Sequence, residues 1–169
     1  MPADAGGPEN RASHDHATGA PSRPPMLARL DIRDLTLVER LSVEFPEGFS
    51  PITGETGAGK SILLGALALV LGDRASVDLV RKGAASADVC AEFDLADNPD
   101  ARAWLAEREL LDADDEAVCL LRRTVGEDGR SRAFVNGRPA TLQDVRALAE
   151  HLVDIHSQHA HTSLLRRHT

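Results

Sequence analysis

Tyrosine is absent from this 169-residue chain and aromatic side chains make up only 3% of it. Cysteine is nearly absent too. Cys90 and Cys119 stand alone, with no C-x-x-C spacing, which excludes a disulfide framework and a zinc knuckle and points to a reducing compartment. Lysine is confined to Lys60 and Lys82, so almost all of the basic charge is arginine. No run approaches the roughly 18 consecutive apolar residues of a membrane span, and the N-terminus has no apolar signal region. These absences predict a cytoplasmic protein without a membrane partner. Basic residues are also in deficit, 19 against 27 acidic, for a formal net charge of -8. The whole chain is therefore repelled by nucleic acid, and any contact with DNA must be local or lie elsewhere.

Residues 1–25 contain no Leu, Ile, Val or Phe. Such a segment buries too little surface to offset the entropy of ordering it, and a disordered tail is expected. Patterning begins at residue 26. Leu27 to Arg33 and Leu41 to Phe45 alternate apolar with polar residues, as half-buried strands do, and Pro46-Glu-Gly48 turns the chain. Phe49 to Thr53 reads as a short strand entering a glycine-rich loop. Ser61 to Leu71 is apolar nearly all round and predicts a buried helix capped at Gly72. Val89 to Leu95 alternates again. Pro99 to Leu111 reads as a helix capped by Asp97 or Asn98, and Val118–Val125 with Ser131–Val135 as a hairpin through Glu127-Asp-Gly129. Asn136-Gly137 with Pro139 marks a further turn, and Thr141 caps a helix reaching about Leu152.

The chemistry centres on Gly54-Glu55-Thr56-Gly57-Ala58-Gly59-Lys60-Ser61, an uninterrupted G-x-x-x-x-G-K-[ST] between a predicted strand and helix. Glycines let consecutive backbone N–H groups converge on phosphate oxygens, and the helix start adds its positive dipole end. Lys60 supplies charge for the β- and γ-phosphates, and the Ser61 hydroxyl suits Mg²⁺. A chance match arises in roughly one chain of this length in two hundred, so ATP with Mg is the expected ligand. A GTPase would need Asp-x-x-Gly and Asn-Lys-x-Asp downstream, and neither follows Ser61. A small-molecule kinase of the P-loop class remains an alternative, although two strands precede the loop here.

Further segments carry a family resemblance. Leu30-Asp-Ile32, Leu41-Ser-Val43-Glu-Phe45-Pro-Glu-Gly48, Ile52 through Leu64 and Leu71-Gly72-Asp-Arg74 resemble the N-terminal head segment of the RecN family, bacterial SMC-like proteins of double-strand-break repair. Leu79-Val-Arg-Lys-Gly83, Phe134-Val-Asn-Gly137-Arg-Pro139, Thr141-Leu-Gln143 and Val153-Asp-Ile-His-Ser-Gln-His159 continue it in order. The resemblance implies an α/β P-loop NTPase head of the ABC/SMC type, a mixed sheet around the phosphate-loop helix, with 26–169 as its N-terminal part cut at the Q-loop. It further implies Gln158 as the Q-loop glutamine that positions Mg²⁺ and water, and Arg74 as a phosphate or DNA contact. Ser157 departs from the glycine common in relatives. Partners implied are DNA, through the complete protein, and a second head or a C-terminal head half, in the bacterial nucleoid. In that family, turnover requires a signature motif and Walker-B acids, and neither occurs in these 169 residues; the chain alone is expected to bind ATP without appreciable hydrolysis. A non-hydrolysing, ATP-dependent interaction module is the other alternative. A transporter subunit fits poorly, with only Phe45 and Phe49 available before the loop to stack on adenine. The histidines at 151, 156, 159, 161 and 168 lack acidic or thiolate co-ligands, and Asp112–Glu116 lacks the spacing of a calcium loop.

Overall fold

The computed structural model describes residues 26–46 and 57–153. Six strands form one sheet in the order β2-β1-β3-β4-β5-β6: β1 Met26–Leu35, β2 Val38–Glu44, β3 Ser86–Asp94, β4 Val118–Gly126, β5 Ser131–Val135 and β6 Arg138–Ala140. Every pairing among the described residues is antiparallel. The strand expected over Phe49–Thr53, the only one proposed to lead into the loop, lies outside them, as do the tail 1–25 and Pro46-Glu-Gly48 beyond its proline.

Alternation sets the two faces of the sheet. One row places Leu30, Ala91, Leu121 and Val135 side by side across four strands, and the next places Ile32, Val89, Arg123 and Ala133. All eight are buried. Against this face lie α1 (Ala58–Val70), contributing Ala66, Leu69 and Val70, and α3 (Leu142–Leu152), contributing Val145, Leu148 and Leu152. Full burial of such a side chain stabilises by about 1.5–3 kcal/mol, so the apolar stripe of α3 alone contributes roughly 5–9 kcal/mol before entropy is charged against it. α2 (Pro99–Glu107) packs on α3 through Ala101, Trp104 and Leu105.

Caps explain the helix limits. Asn98 accepts from the Ala101 amide at 3.0 Å, and its side-chain amide donates to the His151 carbonyl at 2.8 Å, tying α2 to the end of α3. Thr141 accepts from the Asp144 amide at 3.1 Å. α2 stops at Glu107, four residues short of the expected Leu111. There Glu109 turns left-handed (φ 56°), and the Leu110 and Glu109 amides close back on the Leu105 and Ala106 carbonyls, a Schellman ending that the absence of glycine concealed. α1 ends the same way on Gly72 (φ 110°), with Asp73 donating to Ala68 and Gly72 to Leu69.

α1 corrects one expectation. Its inward stripe is buried, but Ser61, Leu64 and Gly65 are exposed, Leu64 at 49%. The helix is apolar all round and covered on one side only among the described residues.

Candidate nucleotide-binding site

α1 begins at Ala58, with Gly57 as its N-cap in extended conformation (φ -123°, ψ 164°). Gly57 offers no side-chain cap, and the first turn holds no acidic residue. The first amides of an α-helix have no partner inside the helix. Among the described residues neither a side-chain cap nor a first-turn carboxylate neutralises them, an arrangement compatible with an anion at the positive end of the helix. Lys60 is half-buried in that first turn, and Ser61 is exposed beside it. A Cβ built on Gly59 would meet nothing within 4 Å, so crowding by described residues does not explain this glycine. The amides, ammonium and hydroxyl are therefore a donor set suited to a phosphate chain and its magnesium ion: amides and Lys60 for phosphate oxygens, Ser61 for the metal.

Of the residues singled out in the sequence, Gly57, Ala58, Gly59, Lys60 and Ser61 come together at this helix start. Gly54, Glu55, Thr56 and Gln158 lie outside the described residues. Arg74 is exposed just past the other end of α1, separated from the phosphate end by a helix of 13 residues, about 20 Å long. His151 is the one described member of the histidine group, with its ring 6.3 Å from that of Trp104. Asp112 and Asp115 accept from the amides of Asp114 and Ala117 in short local turns, which gives these carboxylates a structural use. Among the described residues, no three His, Cys, Asp or Glu side chains are grouped to hold a metal ion, and no helix is long and apolar enough to cross a membrane.

Two arginines near the far end of α1 escaped the sequence reading. Arg146 of α3 donates from Nε to the Gly72 carbonyl at 2.8 Å, and its Cγ would lie 2.6 Å from a Cβ at Gly72. Arg123 of β4 is only 1% exposed. Its Nη2 donates to Ser131 Oγ at 3.0 Å, while Nε and Nη1 have no partner among the described residues. Burial, reinforced by Arg146 and opposed by Asp73, pulls this guanidinium below its ordinary value. A charged residue at an inward position of an alternating strand was the available signal for Arg123; Arg146 gave none.

Comparison with known proteins places this geometry. The AAA domain family matches residues 29–148. The DNA repair protein RecN of Haemophilus influenzae is 44% identical over 141 residues, covering 83% of this chain and 25% of that protein. RecN of Xylella fastidiosa strain Temecula1 is 46% identical over 142 residues, covering 84% and 25%. This chain thus spans about a quarter of the length of the curated relatives it matches. A solved chain from work on ATP-driven dimerisation and DNA-stimulated activation of SMC ATPases superposes with a TM-score of 0.57 at 28% identity, covering 75% of this chain and 78% of that one. The fold is the SMC-type P-loop ATPase head, and the chain, similar in sequence to RecN, belongs to the AAA domain family.

Proposed function

We propose that this chain grips ATP-Mg through Gly54–Ser61 and serves as the nucleotide-binding part of an SMC-like ATPase acting in recombinational repair of DNA double-strand breaks, in the bacterial cytoplasm at the nucleoid. The observation that carries the reading is the start of α1, which among the described residues has no side-chain cap, has no acid in its first turn and is flanked by Lys60 and Ser61. The repair role is supported by the similarity to RecN proteins.

When bound, Mg²⁺ would neutralise charge on the phosphate oxygens. What the chain's own groups do is narrower. The first-turn amides and Lys60 fix the phosphates, Ser61 offers a metal ligand, and Gln158 is assigned to orient the attacking water. Arg74, at the opposite end of α1, is assigned to a phosphate or DNA contact made across an interface. The side of α1 left uncovered among the described residues, with Leu64 exposed, favours association with further head structure, from a C-terminal head half or a second head.

The test is ATP binding to the 169-residue chain by titration calorimetry. Lys60→Ala is expected to weaken affinity at least tenfold, and Ser61→Ala to remove most of its magnesium dependence. Unchanged affinity in Lys60→Ala would sink the assignment.

A further inference from the structure

The sheet ends in two edges of unlike character. β6, at one end, is three residues long with Pro139 at its centre, and a proline, lacking an N–H, blunts an edge against further pairing. β2, at the other end, is seven residues long, has neither proline nor glycine, and keeps register with β1 without a shift. Among the described residues its outer edge pairs with no strand. Alternate residues of such a strand direct N–H and C=O groups away from the sheet, which makes it a template for an added strand.

Charge along the edge narrows what that strand can be. Arg40, Ser42 and Glu44 are exposed on the face turned away from α1. Leu41 and Val43 are half-buried on the other face, directly opposite Ile32 and Leu30. Arg40 stands opposite Arg33 of β1, a like-charge pair that costs stability. Asp88, on the far side of Arg33, is held by Arg122 at 2.8 and 2.6 Å. Among the described residues Arg40 enters no ion pair. A carboxylate arriving on the open side of Arg40 would relieve it.

β2 itself carries that carboxylate at the right spacing. A twofold axis perpendicular to the sheet sets two copies of β2 antiparallel and keeps outer residues opposite outer residues. Centred on Ser42, it places Arg40 opposite Glu44 of the second copy, Leu41 opposite Val43, and Ser42 opposite Ser42; symmetry repeats the first two pairs. Glu44 already accepts from Arg29 Nη2 at 2.8 Å, and a carboxylate has lone pairs for a second guanidinium. Centring on Glu39, Arg40 or Glu44 sets like charges face to face, and centring on Leu41 or Val43 pairs no opposite charges. Edge charges ordinarily discourage pairing; here they favour one symmetric register over its neighbours.

We propose that β2 pairs antiparallel with β2 of a second copy of this chain about a twofold axis at Ser42, joining the two sheets edge to edge. The pairing leaves both α1 helices on one side of the joined sheet. It uses no residue of the phosphate loop and needs no nucleotide, so it stands independently of the function proposed above. A contact this narrow belongs at the small end of specific interfaces, and weak association is expected.

The test is sedimentation of the full 169-residue chain, without nucleotide, from micromolar to submillimolar concentration. Wild type is expected to show a monomer–dimer equilibrium. Arg40→Glu and Glu44→Arg should each weaken it about tenfold or more, because every Arg40–Glu44 pair becomes a like-charge pair. An equimolar mixture of the two variants should dimerise as wild type does, since the new carboxylate at position 40 of one meets the new guanidinium at position 44 of the other. Arg40→Glu also sets a carboxylate opposite Arg33 and is expected to melt no lower than wild type, which separates lost pairing from lost folding. Under mild oxidation Ser42→Cys should crosslink, because directly opposite Cβ atoms lie about 4.5–5.5 Å apart. Arg40→Cys should not, its two copies being offset by four residues, about 14 Å along the strands. A wild-type chain that stays monomeric throughout overturns the proposal and leaves the edge to a strand of another protein. It is equally overturned if the single variants dimerise like wild type, if their mixture stays monomeric, or if the two cysteine variants crosslink to the same extent.

Discussion

Replacing Arg123 by methionine is expected to stabilise the chain. The guanidinium is 1% exposed, holds one hydrogen bond to Ser131, and leaves Nε and Nη1 without partners among the described residues. Each buried, unsatisfied donor costs about 1–3 kcal/mol, while one hydrogen bond made by a charged group returns about 1.5–3 kcal/mol. Two such donors against one such bond leave a net penalty near 2 kcal/mol. Methionine keeps an unbranched stem of similar reach and can settle into the same space between sheet and helices. Ser131 is exposed, so its freed hydroxyl turns to water. The readout is equilibrium unfolding in urea followed by circular dichroism. With a slope of about 2 kcal/mol per molar, the midpoint should rise by roughly 1 M at unchanged slope. A midpoint lowered by a similar amount would refute the reasoning, because it would mean that Nε and Nη1 have partners and the guanidinium is a net stabiliser.

Asn98→Ala removes both the α2 cap and the donor to the His151 carbonyl, and a loss of about 2–3 kcal/mol in the same assay is expected, with Asn98→Asp recovering only the cap portion. Gly72→Ala forces a side chain into a left-handed position and against Arg146; it should cost about 1–3 kcal/mol and weaken protection of the Asp73 amide in hydrogen exchange. Cys119 is buried, which pushes its thiol up to about 12 from 9.0. The raised folded value means that its stabilising contribution is whole below pH 9 and is lost as pH climbs from 9 toward 12, with a slope near 1.4 kcal/mol per pH unit. Urea midpoints at pH 8, 9 and 10 under reductant should show this extra slope in wild type and not in Cys119→Ala; equal slopes would acquit the thiol.

The strands were legible because their faces are chemically unlike. β3 alternates so regularly that its wet and dry sides could be assigned from sequence, and the turn at Glu127–Gly129 announces itself through its glycine (φ 77°). The β1–β2 turn gave no such sign. Thr36 takes a positive φ of 52° beside Leu37, residues that ordinarily avoid such turns, and β2 consequently starts at Val38, earlier than the alternation from Leu41 suggested. Its tip is fixed from elsewhere, by the Thr36 amide on the Leu79 carbonyl and the Arg81 amide on Asp34, contacts more than forty residues away that no local pattern encodes. The short 3₁₀ turn Val77–Leu79 and edge strand β6 were missed for related reasons; Pro139 sits in β6 where its missing N–H faces no further strand among those described. At the site, the motif marked Lys60 and Ser61 directly. Arg146 and Arg123 stayed invisible because their importance comes from what the fold sets beside them.

The order of strands also shapes how the chain reaches this fold. β3 through β6 form a meander whose neighbours in space are neighbours in sequence, and β1 with β2 is a tight hairpin. Only the β1–β3 pairing joins them, and it must close a loop of about fifty residues that includes α1. Local pairings form before distant ones. The phosphate-loop helix follows β1 and β2 in the chain, yet most of the sheet under its inward face is missing until β3 and β4 arrive. Until then an apolar helix has only the β1–β2 hairpin to cover it, which makes this interval the one in which the nascent chain is most prone to aggregate.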